Sequence, residues 1–286
     1  MTQTIVDTHP HIVSTDTIRY PVTPLKGKRS DWSAEHAVTL EELIVAMDEA
    51  GIGKACLVHS STTYGFNNDY VVDAVALHPK RFTGVFSVNV MEPDAPERMR
   101  YWHSRGCTGM RIYTRGSTIA TPWLAIDDTT AAPAWACASD LGIPVVINLH
   151  CDPDGLRQMT NILERFPKVR LLVDHLGRPP LDDGAPYLAA DDYWRMSRFP
   201  NFYLKLTPAA LKNVIKGNAT VETAITKLVS EFGASRIMWG SNYPATSGAL
   251  SELLGRITTA INCLPQSDRD WILGKTAQQV YTALAD

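Results

Sequence analysis

Near the start of the chain, VDTHPHIV (6–13) brings together an acid and two imidazoles, Asp7, His9 and His11. Side chains two apart on a strand share a face, so His9 and His11 would aim at one point. Two imidazoles so placed can share a metal ion or act on one substrate atom. Taken alone, the HxH spacing is a weak signal. Further candidates follow along the chain: His59, Asn89, Arg111 with Tyr113, His150, Asp174 with His175 and Arg178, Lys205 and Asn242. The planar fork of Arg111 could clamp a carboxylate or pair with an acid of a neighbouring loop. Lys205, inside FYLKLTP, reads as facing inward, because a cation among packed helices would be costly. His36, His78 and His103 read as surface residues, and Trp239 as packing.

These candidates end short apolar runs. The runs are 4–13, 54–61, 82–90, 107–113, 144–151, 169–177, 202–208 and 236–244, each rich in Val, Ile, Leu or Phe as buried parallel strands are. Helix-like segments lie between them. TLEELIVAMDEAG opens with Thr39, carries Glu42 three residues on as a capping box, and ends at Gly51. Its stripe is Leu40, Leu43, Ile44 and Met47. Eight strands alternating with helices predict a single-domain (β/α)₈ barrel over 1–286. The alternative, a doubly wound open sheet, lacks a GxGxxG after the first strand. In a barrel the polar groups at the strand ends converge on one mouth, where barrel enzymes carry their chemistry. The long segment 14–38 reads as a loop over that mouth, and with 114–130 it would decide the substrate.

Composition narrows the class. The chain has 286 residues, 45% of them hydrophobic and 20% charged, enough for a large core. A net charge of −3 without a basic run argues against nucleic acid and anionic membrane as partners. Cys56, Cys107, Cys137, Cys151 and Cys263 are odd in number and form no CxxC, which fits reduced thiols. No basic segment leads into an apolar run at the start, and no apolar run approaches the roughly 20 residues that span a bilayer. The expectation is a soluble, cytoplasmic protein, monomeric or a homo-oligomer.

VDTHPHIV, DHLGRP and MWGSNYP, in this order, resemble the amidohydrolase superfamily, and within it the amidohydrolase-2 branch of lactonases and aromatic-acid decarboxylases. The resemblance runs along nearly the whole chain and implies a (β/α)₈ barrel. It maps the first-strand pair onto His9 and His11, the fifth-strand His onto His150, the sixth onto His175 and the last-strand acid onto Asn242. In metal-using members the first two His, the fifth-strand His and the last acid hold one divalent cation, so His9, His11 and His150, with Asn242, would hold zinc or manganese here. In the metal-independent type the His residues polarise a lactone carbonyl and the acid activates water. The resemblance places substrate carboxylates on Arg111 and Arg178. GMRIY stands where binuclear members carry a bridging Lys, which argues against two metals.

Asn242 departs from this pattern, since a carboxamide cannot take a proton from water. A subgroup working without that base, an introduced substitution, and a barrel that only binds ligand all remain open. The implied function is hydrolysis of a small carboxylated ring compound, most simply a lactone of aromatic or sugar-acid catabolism. The alternatives are a decarboxylase and a catalytically impaired binder. His9, His11 and His150 would hold the cation or polarise the carbonyl, His175 would orient or deprotonate water, and Asn242 would position it. Arg111 and Arg178 would clamp the carboxylate, with Tyr113, His59, Asn89 and Lys205 around the substrate.

Overall fold

The computed structural model describes residues 3–286. Eight strands run β1 Val6–Asp7, β2 Lys54–Val58, β3 Phe82–Phe86, β4 Cys107–Ile112, β5 Val145–Ile147, β6 Leu171–Val173, β7 Phe202–Leu206 and β8 Ile237–Trp239. They form one sheet in the order β1 to β8, and every registered pair is parallel. Thr8 N donates to Trp239 O at 3.3 Å, which brings the two edges together. With helices between successive strands, this is the expected (β/α)₈ barrel.

Alternation along the strands divides the core in two. Val6, Cys56, Val58, Val85, Val146, Leu172, Tyr203 and Met238 fill the barrel interior, and Ala277, Val280, Tyr281 and Leu284 plug it from the C-terminal segment. The larger cluster packs the outer strand faces against helices such as Leu40–Ala50, Pro153–Arg165 and Val221–Phe232. The first of these shows the expected capping box, with Glu42 N donating to Thr39 Oγ1, and ends at Gly51 in the left-handed conformation with φ 71°. Gly84 lets β3 approach β4, because a Cβ there would lie 2.4 Å from Cys107 Sγ.

The strands are shorter than the apolar runs. β1 stops at Asp7, so His9 and His11 lie beyond it rather than on it. Pro10 between them has no N–H to continue a ladder. His11 N instead donates to Tyr243 O at 2.8 Å, so the segment still follows the barrel wall. No helix among the described residues is long and apolar enough to cross a membrane. All five cysteines are free.

Candidate active site

At the C-terminal strand ends lies a cavity of about 380 Å³. Of the expected site residues, His11, Arg111, Tyr113, His150, His175, Arg178 and Asn242 line it. His9 lies directly behind, its ring centroid 5.0 Å from that of His11 and 5.3 Å from that of His175.

Three expected substrate contacts do not line the cavity. Val58 faces the barrel interior, so His59, the next residue, turns outward, where its Nε2 contacts Gly65 O at 2.8 Å. Asn89 closes a turn, accepting from Met91 N at 3.2 Å and donating to Glu92 Oε1 at 3.1 Å. Lys205 faces inward as expected, but it is fully buried beneath the cavity and donates to Thr8 O at 2.8 Å.

Asp174 anchors the floor. One oxygen accepts from Arg111 Nε and Nη2 at 3.1 and 2.9 Å. The other lies 3.0 Å from His9 Nδ1 and 3.7 Å from Lys205 Nζ. Burial alone would raise the Asp174 pKa, but His9, Arg111 and Lys205 outweigh it and hold the carboxyl well below the usual range. Burial lowers the Lys205 pKa despite Asp174. Arg111 is therefore committed chiefly to a structural ion pair, the second of the two readings its position allowed. Arg115 and Arg178 line the cavity, and neither forms an ion pair with a carboxylate among the described residues. Both depress the His150 pKa, after burial.

The imidazoles are set by their Nδ1 partners. His11 Nδ1 is 2.8 Å from Val58 O, which only accepts, so Nδ1 carries the hydrogen and Nε2 of the neutral ring is a lone pair. His9 Nδ1 faces a carboxylate and is assigned likewise, and its buried Nε2 has no hydrogen-bond partner among the described residues. His175 differs. Its Nδ1 partner, Thr207 Oγ1 at 2.7 Å, already accepts from Ala210 N at 3.2 Å as a helix cap. That oxygen could accept a second bond, but the buried hydroxyl has no other acceptor among the described residues, so its proton is assigned to His175 Nδ1, leaving hydrogen on Nε2. Burial lowers the His11 pKa to about 3, helped by Arg111, and that of His175 to about 4.

The loops that carry these groups adopt conformations L-residues seldom take. His175, Leu176, Arg178 and Asn242 have φ of 56°, 59°, 53° and 55°. Such positions cost on the order of 1–3 kcal/mol each and gather at functional sites. Asn242 Nδ2 donates to Thr246 Oγ1 at 2.8 Å, so Oδ1 is the end left for a ligand or water.

Several lining residues were not singled out from the sequence: Trp32, Ser60, Ser61, Thr62 and Asn148; Arg115, a weaker clamp candidate than Arg111 because it follows its strand, lines the cavity too. Arg115 had a signal, since RIYTR places Arg111, Tyr113 and Arg115 at a period of two. Asn148 holds that segment through bonds to Thr114 N at 2.9 Å and to Arg115 O. Gly116 leaves room for the Tyr113 hydroxyl, which a Cβ there would displace.

A resident divalent cation does not fit these donors. Nε2 of His9 and of His11 could ligate, but no group of three His, Cys, Asp or Glu among the described residues is placed to hold an ion. The carboxylate of the floor is spent on three cationic or imidazole partners, and the last-strand position offers a neutral amide.

The buried neutral imidazoles predict acid sensitivity. His9, His11, His59 and His175 all have folded pKa values below 6.5, with burial the first cause in each. The unfolded chain therefore takes up protons first as pH falls through about 6.5, and stability drops from there toward about pH 4. Each group contributes at most about 2 kcal/mol between pH 6.5 and 5. Asp7, raised by burial, works in the opposite sense, but it is one carboxyl against four rings. Melting measured at pH 7 and at pH 5 should show the lower temperature at pH 5; equal values would mean that the rings are hydrated.

Among known proteins, the family model described as Amidohydrolase (Amidohydro_2) matches residues 6–282. An L-fucono-1,5-lactonase from Burkholderia ambifaria is 26% identical over 132 residues, 42% of this chain, and the match spans 41% of that protein's length. A probable 2-pyrone-4,6-dicarboxylic acid hydrolase from Acinetobacter baumannii, solved with citric acid bound, superposes with a TM-score of 0.76 at 16% identity, covering 97% of this chain and 99% of that one. A dihydroxybenzoic acid decarboxylase from a Polaromonas species, solved with manganese and 2-nitroresorcinol, gives 0.65 at 18%, covering 98% and 97%. The solved structures share the fold with this chain.

Proposed function

The chain belongs to the amidohydrolase family, and on that premise we propose that it hydrolyses the lactone ring of a small carboxylated compound. One observation carries this reading. Arg115 and Arg178, without carboxylate partners among the described residues, share a cavity with His11 and His175, whose free nitrogens differ in kind.

A substrate carboxylate sits against Arg178 and Arg115. His175 Nε2–H donates to the lactone carbonyl oxygen and stabilises the oxyanion as water adds. Asn242 Oδ1 accepts from that water and orients it. The proton passes to the lone pair on His11 Nε2; as the oxyanion collapses, the ring C–O bond breaks and the leaving oxygen takes that proton back from His11, which opens the lactone to a hydroxy acid and returns the ring to its neutral form. Burial is the main cause of the low His11 pKa and Arg111 the second; the entering carboxylate offsets part of the Arg111 contribution, which strengthens the base when substrate is bound. These assignments exchange the roles first expected, in which His11 polarised the carbonyl and His175 served the water. His150, beside both arginines, lies on the carboxylate side of the cavity.

The donor set gives no reason to route a step through a cation, so the reaction is expected to persist after chelation. A panel of lactones including 2-pyrone-4,6-dicarboxylate tests the reading: ring-opened product supports it, and loss of CO₂ would move the chain to the decarboxylase reading that the manganese-bound relative suggests. Asn242→Asp should lower or leave unchanged kcat/KM, because a new carboxylate repels an anionic substrate. A gain of about tenfold or more would mean that residue 242 is a general base lost from this site.

A further inference from the structure

The mouth segment 14–38 is a built element. Thr23 N donates to Thr63 O at 2.9 Å and Ser14 N to Tyr64 OH at 2.8 Å. Ser30 Oγ meets Thr62 Oγ1 at 2.8 Å and Ser33 Oγ at 2.9 Å, and all three hydroxyl residues are buried. A loop that merely covered the surface would not bury three hydroxyls in one bonded set. The set fixes the short helix Asp31–Glu35 and its Trp32, whose indole stacks on the His11 ring at 5.2 Å between centroids and 27° between planes.

We propose that Trp32 is a positioning residue for His11: its indole covers one face of the imidazole, holds the ring plane, and keeps water from the bond between Nδ1 and Val58 O, so that Nε2 stays aimed at the reacting water. The proposal rests on the role given to His11 above. The opposite side of the ring is restrained by His9, whose ring meets it edge-on at 87°. Trp32 is thus the only stacked aromatic partner of His11 among the described residues. Removing it leaves the ring held by one hydrogen bond and the edge contact with His9.

Two readouts separate this proposal from the lactonase reading. The first needs no substrate: solvent exchange of the His11 Nδ1 proton by NMR of ¹⁵N-histidine-labelled protein, with His11→Gln to assign the signal. Trp32→Ala should speed that exchange at least about tenfold, and Trp32→Phe should restore it, because a phenyl ring still covers the imidazole. Thr62→Val, which unties the helix while leaving the indole, should give an intermediate rate and covers the case in which Trp32→Ala fails to fold. The second uses the lactone the panel finds to be turned over best: Trp32→Ala should lower kcat about ten- to a hundredfold with little change in KM, and Trp32→Phe should recover most of it. Unchanged proton exchange in Trp32→Ala would overturn the proposal. So would a change confined to KM, which would make Trp32 a substrate contact. Altered exchange without turnover of any lactone would uphold the positioning of His11 while contradicting the lactonase reading.

Discussion

Asp174→Asn is expected to destabilise the protein by about 3–5 kcal/mol. The carboxylate is fully buried between Arg111, Lys205 and His9. An amide of the same shape keeps the packing but leaves two cations buried without a counter-charge. Arg111 cannot shed its proton, and Lys205 can do so only by losing the interaction that holds it. His9 Nδ1 would face an amide that can also rotate its N–H₂ toward it. Urea unfolding should show the loss as a lower midpoint with an unchanged slope. Adding Lys205→Met to Asp174→Asn should return part of the stability, since it removes one uncompensated charge. A loss under about 1 kcal/mol in the single variant would mean that water reaches the cluster and screens it. Arg111→Ala belongs with this prediction as a test of stability, because its guanidinium is spent on Asp174.

Arg178→Ala and Arg115→Ala should each weaken use of a carboxylated substrate by about 2–5 kcal/mol, or roughly 30-fold to several thousandfold in kcat/KM. The two guanidiniums border one cavity, depress the same imidazole, His150, and have no acid of their own among the described residues. If both hold one carboxylate, the losses in the double variant will be less than additive, because the second removal acts on a clamp already broken. An uncharged lactone analogue should react poorly with the native protein and almost equally with the variants. Unchanged kinetics on carboxylated substrates would place the acid elsewhere.

The barrel was legible because its signals are local and periodic. Apolar runs of strand length alternate with capped amphipathic helices, and the Thr39–Glu42 box and Gly51 stop appear where the spacing puts them. The cost of a cation among packed helices carried further, placing Lys205 inside the barrel, where it lies. His59, one residue past an inward Val58, faces out by strand alternation, against the substrate contact expected of it. Depth was not legible: that cost says that Lys205 points inward but not that it stops below the cavity. The ion pair of Arg111 was one of two open readings, but its partner was hidden, since Asp174 lies 63 residues away, just past the end of another strand. The left-handed turns at His175 and Asn242 and the stacking of Trp32 on His11 are set by tertiary contacts, and no residue pattern announces them. Hydrogen-bond partners decided what sequence could not, namely which imidazoles accept at Nε2 and which donates.

The central claim is hydrolysis of a carboxylated lactone by the chain's own imidazoles and guanidiniums. It is tested most directly by incubating chelator-treated, metal-analysed protein with the lactone panel and weighing the products. The account predicts a product heavier than the substrate by one water, formed at the same rate before and after chelation. A product lighter by CO₂, or turnover that chelation abolishes and added manganese restores, would contradict it.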